Sequence, residues 1–180
     1  MSQDDAPLVN RVAQSGLITL NLEEYYPREP VVVIDLKDYL FQGLILREKE
    51  YREQLKSYDW TSLAGKHLVV HCSTDAIIPV WAYMLVTALA TPHALTVSLC
   101  QPEEFIVLHY QKALADLDVE RYRGERIVIK GCSDHPVPPF AYALLTAKLQ
   151  PVAQSIMFGE PCSTVPIFKR PRELRVESGE

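Results

Sequence analysis

The chain has 180 residues, 48% of them hydrophobic and 23% charged, a composition that predicts one globular domain with a sizeable core. Eighteen Lys and Arg against 23 Asp and Glu give a formal charge of −5, which removes nucleic acids and anionic membranes from the expected partners. The opening MSQDDAPLVNRV is acidic and polar where a secretory signal would be basic and then apolar, and the apolar run at residues 81–90 is too short to span a bilayer. A cytoplasmic protein is expected.

Residues 9–66 predict two strands and a helix. The segment 16–22 (GLITLNL) alternates and is rich in β-branched residues, and after Pro30 the continuous apolar run 31–36 reads as a strand buried on both faces. From an Asp38 cap, Tyr39, Leu40, Leu44, Ile45, Tyr51 and Leu55 with charges between them predict one long amphipathic helix.

The most informative feature is an internal repeat. Residues 67–100 align with residues 127–159 when Thr74 alone is skipped: Cys72 meets Cys132, Ser73 meets Ser133, Asp75 meets Asp134, Pro79 meets Pro138, Ala82 and Tyr83 meet Ala141 and Tyr142, and Pro92 meets Pro151. Each copy reads as a strand, a polar turn, a helix with Pro in its first turn and a second strand, and residues 102–117 supply a crossover helix between the copies. The order β-α-β-α-β-α-β predicts right-handed crossovers over a mostly parallel sheet, a three-layer α/β domain built on a duplicated βαβ unit. Setting the first strands of the copies side by side gives a flavodoxin-like order, second, first, third, fourth, with a switch point between Cys72 and Cys132. Ligands of open parallel sheets sit at such a point, beyond the carboxyl ends of the strands.

Chemistry is expected from the four cysteines. Strands about 4.8 Å apart bring matching cysteines within reach of a common ion or sulfur species, and a helix start just after each would favour the thiolate. Cys162, in GEPCSTVP, is expected in an ordered irregular loop that folds over the same edge. Three thiolates with one further donor suit tetrahedral zinc or an iron–sulfur cluster. His71, Asp75, Asp134 and His135 are candidate donors. Strand alternation turns His71 away from Cys72, which favours His135 or an Asp. No paired C-x-x-C spacing is present, so nucleophilic thiol chemistry at Cys72 or Cys132 and purely structural cysteines stand as alternatives. A reducing compartment disfavours a disulfide.

Cys100 pairs with Gly159 in the repeat and reads as a small strand-end residue, and Ser73, Ser133, Asp75 and Asp134 also suit helix capping. The Ala-Tyr pairs, preceded by Trp81 and Phe140, read as helix–sheet packing. No glycine-rich phosphate loop or G-x-S-x-G elbow occurs, so neither a nucleotide nor a hydrolase triad is expected. The charged, Pro-interrupted segment 168–180 reads as a mobile tail.

The segments VNRVAQSGLITLNLEEYYP, DLKDYLFQGLILREKEYR, VVHCSTDAIIPVWAYML, RIVIKGCSDHPVP and LQPVAQSIMFGEPCSTVPIFKR closely resemble the bacterial family catalogued as domain of unknown function 2480, over roughly residues 9–170. The motifs holding Cys72, Cys132 and Cys162 are similar to the family's own, whereas Cys100 is not part of that pattern. The resemblance brings no catalytic residue; what it implies is a place beside iron–sulfur cluster assembly, with assembly proteins as partners. The expectation is an accessory protein binding zinc or an iron–sulfur cluster through Cys72, Cys132 and Cys162. A thiol enzyme or sulfur carrier and a protein-interaction module are the alternatives, and a homodimer through an edge strand or the amino-terminal helix is open.

Overall fold

The computed structural model describes residues 16–131 and 133–171. The chain divides into two compact units: a flanking unit formed by Met1–Tyr26 with Tyr110–Glu180, and an inserted unit, Pro27–His109. Among the described residues the protein is α/β, with parallel and mixed sheets and four α-helices. None of these helices is long and apolar enough to cross a membrane.

The inserted unit is built on a three-stranded parallel sheet, ordered β2 (Val31–Asp35), β5 (His67–His71), β6 (Thr96–Leu99), after β1 (Leu17–Asn21) of the flanking unit. Leu68, Val69 and Val70 are fully buried, as the middle strand of a covered sheet requires. Between β2 and β5 the chain forms a small hairpin, β3 (Leu40–Phe41) with β4 (Ile45–Leu46), and then α1 (Glu48–Ser57). The single long helix expected from Asp38 is therefore corrected. Gln42 (φ 52°) and Gly43 (φ 71°) are both left-handed, a turn conformation that no helix passes through. Downstream, α2 (Val80–Ala90) buries Ala82, Val86 and Ala90 in one cluster with Tyr51 and Leu55 of α1, Ile34 of β2 and Leu68 and Val70 of β5. The i, i+4 spacing of those small α2 residues lets the helix lie close on the strands.

α3 (Phe105–Ala115), entered through a 3-10 turn at Pro102–Glu104, carries the chain back into the flanking unit, as the crossover helix was expected to do. There the sheet order is β1, β7 (Arg126–Lys130), β8 (Ser155–Glu160), β9 (Ser163–Lys169), the first three parallel and β9 antiparallel. Between β7 and β8, α4 (Pro139–Leu149) buries Ala141, Leu145 and Leu149.

Both expected βαβ units are present, as β5-α2-β6 and β7-α4-β8. Their first strands are not neighbours: β5 lies in one sheet and β7 in another, so the single sheet with a central switch between Cys72 and Cys132 does not form. Each first strand instead takes an amino-terminal strand as its neighbour, β2 beside β5 and β1 beside β7. Those added strands also match. Asn21 and Asp35 each end a strand and accept a hydrogen bond from the backbone N–H two residues on, that of Glu23 or Lys37, capping a 3-10 turn.

Two further expectations are corrected at the carboxyl end. Cys162 sits with Pro161 in the tight connection of the β8–β9 hairpin rather than in an irregular loop. Phe168 and Lys169 complete β9, and the Arg170 guanidinium donates to the carbonyls of Gln150 and Pro151, both at 2.9 Å, so this part of the expected mobile tail is held. Residues 172–180 of that tail lie outside the described residues.

Candidate functional site

The carboxyl edge of the inserted sheet gathers the polar residues. Asp35 ends β2, His71 ends β5 with Cys72 directly after it, and Cys100 and Gln101 follow β6. Beyond β5 the chain turns sharply, and this turn is held from the neighbouring strand: the Ser73 N–H donates to Asp35 Oδ1 at 3.1 Å. Asp35 also accepts the Lys37 N–H at 3.0 Å and lies 3.3 Å from the Lys37 ammonium. Burial opposes ionisation of Asp35, but hydrogen bonds from Ser73 and Lys37 outweigh it and hold the carboxyl well below the usual carboxylate range.

Val70, His71, Cys72, Tyr83, Cys100 and Glu104 are among the walls of a cavity of about 320 Å³ at this edge. The His71 ring is fixed on both sides, with Nδ1 3.0 Å from Gln101 Oε1 and Nε2 3.7 Å from Asp35 Oδ2. Glu104 Oε2 accepts the Gln101 N–H at 2.9 Å, which secures the segment after β6. The half-buried Cys72 has its Sγ 3.3 Å from the Thr74 hydroxyl, a group able to donate to a thiolate. Cys100 is also half-buried, and burial together with the Glu104 carboxylate pushes its thiol up.

The flanking unit has a counterpart cleft of different character. Strand register makes Arg126 equivalent to His67 and Ser155 equivalent to Thr96, and the same offset carries Tyr83 to Tyr142, Cys72 to Gly131 and Cys100 to Gly159. Here the cavity measures about 730 Å³ and is mostly apolar, with Ile129, Tyr142, Ala147, Phe158 and Ile167 in its walls. A methyl group at Gly131 would lie 2.7 Å from the Tyr142 hydroxyl, so the absence of a side chain there is what admits the tyrosine. The turn after β7 is again held by an acid from the neighbouring segment: the N–H groups of Ser133 and Asp134 donate to the Glu23 carboxylate, the latter at 2.9 Å. Burial works against the charge on Glu23, and the N–H groups of Asp134, Ser133 and His135 with the His135 ring lower its pKa below the ordinary value.

Cys72 belongs to the polar cavity, whereas Asp75 is exposed beside a separate surface hollow with Leu44 and Ile77. Asp134 is exposed, and His135 stacks its ring on Tyr26 at 4.4 Å between centroids. Cys162 is exposed at its hairpin, and Cys132 lies outside the described residues. No three His, Cys, Asp or Glu side chains among the described residues are placed to hold a metal ion. Neither α2 nor α4 starts beside a cysteine position: α2 begins at Val80 after Pro79, and α4 at Pro139 after Pro138. The helix-end activation expected for Cys72 is absent, since the N–H that follows it is taken by Asp35.

Sequence reasoning missed Asp35, Cys100, Gln101 and Glu104, and it turned His71 away from Cys72 although both line one cavity. Strand alternation does not extend past His71, where β5 ends. The usable signal was that Asp35 ends, and Cys100 and Gln101 follow, apolar strand runs of the kind that end at one sheet edge.

A family model described as a protein of unknown function, DUF2480, matches residues 6–170. No curated protein and no solved structure matches the chain.

Proposed function

This chain belongs to the DUF2480 family, which carries no activity over to it, and from the geometry we propose that the inserted unit is a thiol site in which Cys72 attacks and carries a small electrophilic group. The observation that carries this reading is the placing of Cys72 in a polar cavity at the carboxyl edge of a parallel sheet, with a hydroxyl 3.3 Å from its sulfur. Open parallel sheets bind ligands at that edge. Each residue has a separable part. Thr74 supplies a hydrogen bond to the sulfur as it takes negative charge, Asp35 fixes the turn that aims it, and His71, clamped between Gln101 and Asp35, presents a rigid polar wall.

The volume of about 320 Å³ sets the test. A small alkylating agent reaches Cys72 in the reduced, full-length protein and a bulky dye-linked maleimide does not, whereas exposed Cys162 takes both. Thr74→Val slows the small reagent at Cys72 several-fold and leaves Cys162 unchanged. A Cys72 inert to the small reagent, or equally open to the bulky one, overturns the reading. The binding of zinc or an iron–sulfur cluster through Cys72, Cys132 and Cys162, with assembly proteins as partners, has no geometric support of its own among the described residues, and elemental analysis addresses it separately.

A further inference from the structure

Cys72 is not the only thiol in its cavity. β5 and β6 are paired in register through Val70 and Leu99, so Cys100 falls opposite His71, Cys72 comes one residue later, and both cysteines line the same cavity. Adjacent strands run about 4.8 Å apart and residues along them about 3.3 Å, so a pair offset by one residue is roughly 6 Å apart, within the Cα separations that disulfides span. The flanking unit supplies an internal comparison. At the two equivalent strand ends it has Gly131 and Gly159, so this local plan needs no thiol at either place, and the inserted unit carries a cysteine at both. The glycine cleft is apolar, while the cysteine cleft has His71, Gln101 and Glu104 in its lining.

A second thiol beside the first restricts what the first can usefully carry. With an alkyl or acyl adduct on Cys72, attack by Cys100 only moves the group from one sulfur to the other. With a cargo held through an S–S bond, the second thiol discharges it by thiol–disulfide exchange. We propose that Cys100 is the resolving thiol of this site and that the cargo of Cys72 is a sulfane sulfur, the terminal sulfur of a persulfide or polysulfide donor. This rests on the reading of Cys72 as a nucleophile given above. Loading transfers one sulfur atom: the Cys72 thiolate attacks the terminal sulfur of a donor persulfide R–S–SH, Cys72 becomes a persulfide and R–SH leaves. For discharge, the Cys100 thiolate attacks the inner sulfur of that persulfide, the Cys72–Cys100 disulfide forms and hydrosulfide leaves with the bonding electron pair, taking a proton to give hydrogen sulfide. An external dithiol then restores both thiols and leaves as its own disulfide. Burial and Glu104 keep Cys100 protonated near neutrality, so the loaded state persists and empties faster as pH rises. The other titratable groups lining this cavity are His71, Cys72 and Tyr83.

The test uses the reduced full-length protein, a low-molecular-weight persulfide as donor, peptide mapping by mass and a hydrogen sulfide assay. The wild-type chain is expected to release hydrogen sulfide in step with a Cys72–Cys100 disulfide. Cys100→Ser and Cys100→Ala are each expected to retain one added sulfur on Cys72 and to discharge it at least tenfold more slowly; two replacements guard against a local packing effect, and the thermal midpoint of each reports folding. If Cys72 acquires sulfur but both variants discharge it as fast as the wild type, the role of Cys100 is overturned and the thiol reading stands. If Cys72 acquires no sulfur in any of the three folded proteins, sulfur as its cargo is overturned, and retained small-reagent labelling then shows whether the thiol reading survives.

Discussion

Asp35 and Ser73 are joined across 38 positions of the chain by a 3.1 Å hydrogen bond from the Ser73 N–H to the Asp35 carboxylate. The bond ties the turn that carries Cys72 to the end of the neighbouring strand. Asp35→Ala removes the acceptor for both the Ser73 and Lys37 N–H groups, a charge-assisted loss of about 1.5–3 kcal/mol. Because the Asp35 carboxyl is held below its usual range, its contribution is complete above the unfolded value of about 3.9 and is lost as pH falls through the folded value. Urea denaturation is therefore expected to separate the two proteins fully at neutral pH and progressively less on acidification, and Cys72 labelling by a small reagent slows in the variant at all pH values where it is folded.

The acid that holds the corresponding turn in the flanking unit, Glu23, gives a control. Glu23→Ala frees the N–H groups of Ser133 and Asp134. Faster hydrogen exchange is expected at these amides, with a lower thermal midpoint and no change in Cys72 labelling. Glu23 too has a lowered pKa, so its contribution is present above the unfolded value near 4.3 and fades as pH falls below it.

Gly131→Ala tests the comparison between the clefts. The new methyl group would meet the Tyr142 hydroxyl at 2.7 Å and a Val137 methyl at 3.1 Å. The tyrosine ring, edge-on to Phe158 at 5.6 Å, has to swing away. A loss of about 1–3 kcal/mol in chemical denaturation is expected, as for other overpacked sites, again without effect on Cys72.

Elemental analysis of protein purified without oxygen separates thiol chemistry from metal binding. The present account expects less than stoichiometric zinc and iron, unchanged in Cys72→Ser, Cys132→Ser and Cys162→Ser. Stoichiometric metal, or iron with sulfide and visible charge-transfer bands, lost in those variants, would make this a metal or cluster protein.

Much of the secondary structure could be read from residue patterns, because apolar periodicity and proline placement act locally. Residues 127–130, the helices after Pro79 and Pro138, and the crossover after Pro102 are all observed where the patterns put them. The misreadings share a cause: a single local signal outweighed the wider one. Aligning Cys72 with Cys132 required skipping Thr74, whereas the strand register runs without a skip and sets Cys72 against Gly131. Identical Cys-Ser pairs thus drew the alignment one residue off the fold. The apolar spacing from Tyr39 to Leu55 hid the turn at Gln42 and Gly43. For β9, the charges of FKRPR hid an edge strand, where one side of the backbone is free and Pro166 is tolerated. Asp35 could not be joined to Cys72 from sequence, because which strand lies on the other side of β5 is settled by long-range pairing, whereas the expected βαβ unit already set the strand before Cys100 beside that of Cys72.

The most direct measurement is to treat the reduced full-length protein with less than one equivalent of a small alkylating agent and map by mass which of its four cysteines takes it. Most of the first label is expected on Cys72, with Cys100 the last to react because its thiol is pushed up. Label concentrated on Cys162 or Cys132, with Cys72 still reduced, would contradict the reading of Cys72 as the nucleophile.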